Sequence, residues 1–247
     1  MSETPIKLRL FVDYDLFEGS TVLATVDQHN YLRNVMRSSV GDRVLLFNGR
    51  DGEWRAVVSQ LSKSRCLLTV KHYQRPQRSP TDIWLLFAPV KAAAMNNIAR
   101  MATELGVARL CPLFTDHTTV TRANTVRIRA NAIEAAEQTG RLNVPIVDDA
   151  RKLEDVMRKW DPVRNIILCA EKGPAKAFSE ALAPYSYPGP WALLIGPEGG
   201  FSQIELDALV KLPFVTPARL GPRIMRADTA AIAALVCWQN YFGDWTE

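Results

Sequence analysis

The sequence predicts an α/β protein, with a small β-rich N-terminal domain followed by a larger domain built on a parallel sheet. Three observations predict this. Residues 1–74 carry short runs of Val, Leu and aromatic residues at strand length. Residues 82–247 carry wholly apolar runs alternating with stretches of helical period, the pattern of a sheet buried on both faces. Between them, QRPQRSPTD (74–82) has two prolines, polar residues and no periodicity, which marks a linker over 75–81.

In the first domain, RLFVD (9–13), STVLATV (20–26), DRVLLFNG (42–49), EWRAVVSQL (53–61) and RCLLTVKHY (65–73) read as strands. NGRDG (48–52) between two of them is a hairpin signal. HNYLRNVMRS (29–38) is the one helix expected here. Five short strands in so little chain suggest a small barrel or tight sheet.

In the second domain, IWLLFAPV (83–90) is a buried strand, and the residues after it place apolar side chains at 95, 98, 102 and 105, a helical stripe. ARLCPLF (108–114) reads as a strand, and residues 125–140 read as a helix ending at Gly140. LEDVMRKW (153–160) is a helix, NIILCAE (165–171) and WALLIGP (191–197) are strands, and SQIELDALVKL (202–212) is a helix. FVTPARLGP (214–222) is the last strand and DTAAIAALVCWQNYF (228–242) the closing helix.

Composition bounds the function. With 47% hydrophobic and 23% charged residues, the chain has the make-up of an ordinary soluble globular protein. Its charged N-terminus predicts no secretory signal, and its longest apolar runs are too short for a bilayer span. Cys66, Cys111, Cys169 and Cys237 are scattered, and with His29, His72 and His117 they form no metal-ligand spacing. A reduced, cytoplasmic protein without a metal or a membrane partner is expected. A net charge of +4 permits a nucleic-acid partner without requiring one.

Ligands of parallel sheets bind at the carboxyl ends of the strands. GPEGG (196–200) stands at such a place, and its glycines allow close backbone approach. Ser202 and Glu205 form an S-x-x-E capping box, with Phe201 and Leu206 placed as its hydrophobic staple. The donors at the start of this helix are therefore already occupied, and Glu198 adds negative charge. A phosphate site needs free N–H groups and positive potential, so a ligand without phosphate fits better, and a cation is favoured. A second loop, ARLGPRIMRAD (218–228), also leaves a strand at Gly-Pro and enters a helix, capped by Asp228 or Thr229. A third strand end, residues 167–173, closes on Gly173. Three such ends could build one pocket.

LLIGPEGGFS (193–202) followed by LGPRIMRADTA (220–230) resembles the two C-terminal signature loops of the RsmE-type 16S ribosomal RNA methyltransferases of the SPOUT superfamily. ATELGV (102–107), EAAEQTGR (134–141) and YLRNVMRSSVGDRVLLFNG (31–49) resemble the same family in the same order, so the likeness spans nearly the whole chain. It departs where the family has leucine, arginine, threonine and glutamate and this chain has Met225, Arg226, Ala227 and Asp228, and where Met101 replaces a common lysine.

The resemblance implies transfer of a methyl group from S-adenosylmethionine to N3 of a uridine of 16S rRNA, position 1498 in customary numbering, on naked rRNA or the small ribosomal subunit. It implies a PUA-like β-barrel at 1–74 that helps bind RNA, and a trefoil-knotted SPOUT domain at 82–247 that works as a homodimer. On that reading Ala170, Glu171, Ile195, Gly196, Pro197, Glu198, Gly199, Gly200, Leu220, Gly221, Ile224, Met225 and Arg226 hold the cofactor. Uridine N3 carries a proton at neutral pH, so a base or an anion-stabilising cation is needed. Arg226 is the candidate cation, and Glu198 and Asp228 are candidate bases whose alternative role is to order a loop or cap a helix. Arg9, Arg33 and Arg37 are candidate RNA contacts, the last two four residues apart on one helical face. Arg122, Arg127, Arg129 and Arg141 are weaker candidates.

Two other classes remain. A nucleotide-dependent α/β enzyme should carry a glycine fingerprint after its first strand, and FAPVKAAAM (87–95) lacks one. A non-catalytic RNA-binding relative should lose its loop glycines, yet Gly196, Gly199, Gly200 and Gly221 all stand.

Overall fold

The computed structural model describes residue 6 and residues 8–171, 175–185 and 189–246. The chain divides into two compact units. One is Met1–Ser79 with Ala136–Val144, and the other is Pro80–Ala135 with Pro145–Glu247.

The first unit is a five-stranded sheet of β1 (Arg9–Phe11), β2 (Thr21–Leu23), β3 (Arg43–Phe47), β4 (Glu53–Leu61) and β5 (Cys66–Arg75), in the order β1-β3-β4-β5-β2. β1 pairs parallel with β3, and the other pairings are antiparallel. Alternating residues such as Val44 and Leu46 on β3, and Leu68 and Val70 on β5, turn one face inward onto Leu10, Val22 and Leu32. Register shifts along the β4–β5 pair add local bends and twist, which curl the sheet around this core. The expected hairpin forms at 48–52. The Asn48 side-chain carbonyl accepts from the N–H groups of Arg50 and Asp51 at 3.0 and 2.9 Å, and Gly49 and Gly52 take positive φ.

The helix here starts earlier than residues 29–38 suggested. Thr25 Oγ1 accepts from the Gln28 N–H and the Gln28 side chain accepts from the Thr25 N–H, a capping box that fixes the start of α1 (Val26–Asn30). The chain continues as one π-helical turn (Tyr31–Val35), and Arg37 lies beyond it at φ 53°. Ala136 and Leu142 of the segment 136–144 pack on Phe47 within the same unit.

The second unit is an eight-stranded sheet. Its strands are β6 (Ile83–Phe87), β7 (Arg109–Phe114), β8 (Ile146–Val147), β9 (Arg151–Lys152), β10 (Asn165–Cys169), β11 (Lys176–Ala177), β12 (Trp191–Ile195) and β13 (Val215–Arg219). The order is β11-β13-β10-β12-β6-β7-β8, with β9 also on β7, and every pairing is parallel. The helices are α2 (Ala92–Glu104), α3 (Thr125–Thr139, whose residues from Ala136 on belong to the first unit), α4 (Leu153–Arg158), α5 (Phe178–Leu182), α6 (Gln203–Leu209) and α7 (Ala227–Phe242).

β12 explains the layering. Trp191, Leu193 and Ile195 join a core with Ile98 of α2 and with Ala231, Leu235 and Trp238 of α7. Ala192 and Leu194 join a second core with Leu153 and Val156 of α4 and Leu209 of α6. A strand covered by helices on both faces has no polar side, hence the unbroken apolar run. Among the described residues no helix is long and apolar enough to cross a membrane, and no cluster of His, Cys, Asp and Glu could hold a metal ion.

Candidate functional site

β10, β12 and β13 are neighbours that end level: Cys169 pairs with Ile195 on one side and Ala218 on the other. Their outgoing loops therefore leave the same edge of the sheet, and they enclose a cavity of about 410 Å³. Ala170 and Glu171 line it from β10, Ile195 to Gly200 from β12, and Leu220, Gly221, Ile224 and Met225 from β13. The expected turn at Gly173 lies outside the described residues. Cys169, Phe201, Leu206, Ala218, Ala227 and Ala230 also line the cavity. Sequence reading missed them because strand-end and helix residues of this kind read as core.

The loop after β12 is held by hydrogen bonds within it and from the turn after β7. The Gly200 N–H donates to the Pro197 carbonyl at 2.9 Å, and Gly200 has φ +69°. A Cβ on Gly196 would stand 2.9 Å from the Phe201 ring, so only glycine fits without displacing that ring. The capping box forms: Ser202 Oγ accepts from the Glu205 N–H at 3.2 Å, and Glu205 Oε2 accepts from the Ser202 N–H at 2.9 Å. The turn after β7 braces it from outside. Ser202 Oγ donates to Asp116 Oδ2 at 2.6 Å, and the Asp116 N–H donates to Glu205 Oε1 at 2.9 Å. His117 Nδ1 meets the Gly199 carbonyl at 3.1 Å, and because a carbonyl only accepts, that nitrogen carries the proton. Asp116 and His117 were not legible beforehand, as nothing local in the sequence ties them to a loop 82 or more positions away. The start of α6 is thus occupied by its own capping box, and Glu198, Arg219 and Arg223 bring charges of both signs to the cavity wall.

A second cavity of about 240 Å³ adjoins the first, with Glu198 and Ala227 in both linings. Arg226 and Asp228 line this one, together with Val90, Lys91, Ala93, Ala94 and Asn97. The three residues expected to carry chemistry are thus brought together. Arg226 lines this cavity and not the larger one, where it was also expected. Among the described residues it forms no ion pair with Glu198 or Asp228. The cap of α7 is Arg226 itself, through its backbone, with the Ala230 N–H donating to its carbonyl at 2.8 Å. Asp228, expected as a cap along with Thr229, instead lies in the first turn and accepts from Asn97 Nδ2 at 3.4 Å.

The arginines expected to meet RNA divide. Arg33 and Arg37 are exposed, and Arg33 Nη1 donates to the Lys63 carbonyl at 3.3 Å. They do not share an α-helical face, because the π turn changes the spacing and Arg37 has left the helix. Arg9 is not a surface cation: its side chain is 10% exposed, ion-paired to Glu53 at 2.8 Å and bonded to three backbone carbonyls. Arg127 Nε donates to Asn96 Oδ1 at 3.0 Å.

Comparison with known proteins places these features. Residues 77–239 match the family model described as an RNA methyltransferase domain, and residues 24–71 match an RNA methyltransferase PUA domain. The ribosomal RNA small subunit methyltransferase E of Rickettsia conorii is 30% identical over 233 residues, 92% of this chain and 93% of the relative. That of Bacillus subtilis is 27% identical, covering 88% and 89%. Among solved structures, the ribosomal RNA small subunit methyltransferase E of Neisseria gonorrhoeae bound to S-adenosyl methionine superposes with a TM-score of 0.85 at 25% identity, covering 96% of this chain and 99% of that one. A Legionella pneumophila chain in complex with the same cofactor gives 0.87 at 28% identity, covering 96% and 98%.

Proposed function

We propose that this chain, which belongs to the RNA methyltransferase family, methylates N3 of a uridine in 16S ribosomal RNA of the small subunit, with S-adenosylmethionine as the methyl donor. The observation that carries the reading is the pair of adjoining cavities. One is walled by three level strand ends and the other gathers Glu198, Arg226 and Asp228. The larger volume lies within the roughly 300–1,000 Å³ of small-molecule sites. Ile195, Leu220 and Met225 offer apolar walls for an adenine, and the Glu198 carboxylate suits a sulfonium. The cofactor, when bound, supplies an electrophilic methyl group.

The protein's own part is to prepare the nucleophile. The N3–H bond must break as the N–C bond forms, and its proton passes to a carboxylate oxygen of Glu198 or Asp228, or to water. As it leaves, negative charge spreads over the two carbonyl oxygens of the ring. Arg226, which makes no ion pair among the described residues, stabilises that charge with its guanidinium. The N-terminal domain (1–74) binds RNA through a surface that includes Arg33 and Arg37. The C-terminal domain carries the trefoil knot, as the resemblance of its two signature loops implies. It pairs as a homodimer, which exposed Tyr241 at the C-terminal end of α7 and exposed Trp245 just beyond it support. The site of action is the cytoplasm.

The test is mass mapping of rRNA from a strain lacking the gene, with and without this chain. A restored methylated uridine in 16S rRNA is expected, and its absence would overturn the reading. A second expectation concerns the loop after β13. Gly221 has φ +127° with open space around its Cβ position, so Gly221→Ala creates no clash but strains the backbone. Such strain costs roughly 1–3 kcal/mol. Urea unfolding should therefore show a loss of stability of that size, while circular dichroism of the folded protein stays unchanged.

A further inference from the structure

The smaller cavity carries a cation that no sequence motif singled out. Its charged groups are Lys91 from the link between β6 and α2, Glu198 from the loop after β12, and Arg226 and Asp228 at the start of α7. Its walls are otherwise small, Ala93, Ala94 and Ala227 with Val90, and Asn97 is the remaining polar member. At about 240 Å³ it falls below the range of drug-sized sites, and its alanine walls leave room for one flat ring. Lys91 makes no ion pair or side-chain hydrogen bond among the described residues. Asn97 is engaged with Asp228, which sets the orientation of that carboxylate.

Two cations that make no ion pair among the described residues thus face one ring-sized cavity, beside two carboxylates. We propose that Lys91 is a second anion-stabilising residue, which with Arg226 binds the deprotonated uracil ring and lowers the pKa of its N3–H. This inference rests on the function proposed above. The two carbonyl oxygens flank N3, so an anion formed there bears charge on both sides, and one cation serves only one side well. Lys91 supplies a compact ammonium and Arg226 a planar fork, and the two act on different oxygens. The proton still leaves to a carboxylate or to water.

The experiment is the pH profile of single-turnover methylation of small-subunit rRNA by wild type, Lys91→Met and Lys91→Arg, each first checked for S-adenosylmethionine binding. For Lys91→Met the rate near neutral pH should fall on the order of 100-fold. The loss should shrink as pH rises, because hydroxide then removes the proton that the enzyme no longer acidifies. Lys91→Arg should recover part of the rate. A Lys91→Met variant as fast as wild type, or one slowed equally at every pH, would overturn the proposal. If wild type itself forms no methylated uridine, the proposed function fails instead, so the two failures are distinguishable.

Discussion

Arg226→Ala is expected to lower the rate of methyl transfer by about 10²–10³-fold, the usual loss when one positioned donor to a developing anion is removed, while S-adenosylmethionine binds nearly as before. The separation follows from placement. Arg226 lines the smaller cavity with Asp228 and Lys91 and is absent from the lining of the larger one. Its side chain supports no ion pair or hydrogen bond in the loop, so its removal leaves no orphaned partner. Its role as cap of α7 is played by its backbone, which alanine retains. Arg226→Lys should recover only part of the rate, since a point charge lacks the planar fork that reaches two acceptors. Single-turnover assays beside cofactor titration read both quantities. Methylation at the wild-type rate, or a loss of cofactor affinity as large as the loss of rate, would refute the assignment.

What could be read beforehand was local. The S-x-x-E box at Ser202 and Glu205 formed as read, since capping is decided within four residues. The apolar run of β12 announced a buried parallel strand because burial on both faces leaves no polar position. The wall of the larger cavity was legible for a related reason: glycine-containing turns after adjacent strands share one edge of the sheet. What could not be read was set by distance or by backbone detail. Lys91 looks like any exposed lysine until α2 is packed on α7. The π turn after α1 has no residue pattern of its own, so the spacing of Arg33 and Arg37 misled. Arg9 looked like surface charge because its partners lie 44 to 132 positions away.

That last residue gives the largest expected effect on stability. Arg9 Nε donates to Glu53 Oε1 at 2.8 Å, Nη1 donates to the carbonyls of Ala136 and Glu137, and Nη2 donates to that of Arg141. Its guanidinium also lies 4.6 Å from the centre of the Phe47 ring. Glu53, 5% exposed, takes a second arginine, Arg75, at 2.8 Å. Removing one partner of a buried pair leaves the other charge uncompensated, which costs about 3–5 kcal/mol. Arg9→Met and Glu53→Ala should each lower stability by that amount in urea unfolding. A change within about 1 kcal/mol would place the pair with surface salt bridges instead. Arg9→Met should act on folding, with RNA affinity of the folded fraction retained.

The pair also fixes a pH dependence. Burial alone would raise the Glu53 pKa, but the hydrogen bonds from Arg75 and Arg9 and their charges outweigh it and hold the carboxyl below its ordinary value. The folded state therefore binds the Glu53 proton less readily than the unfolded chain, whose glutamates titrate near about 4.3. The stabilisation is complete above that value and is lost as pH falls through the lower folded pKa. Glu53→Gln is neutral at every pH. The stability gap between wild type and Glu53→Gln should thus be constant above about pH 5 and narrow on acidification. A gap that widened towards acid would mean that burial, and not the two arginines, decides the state of Glu53.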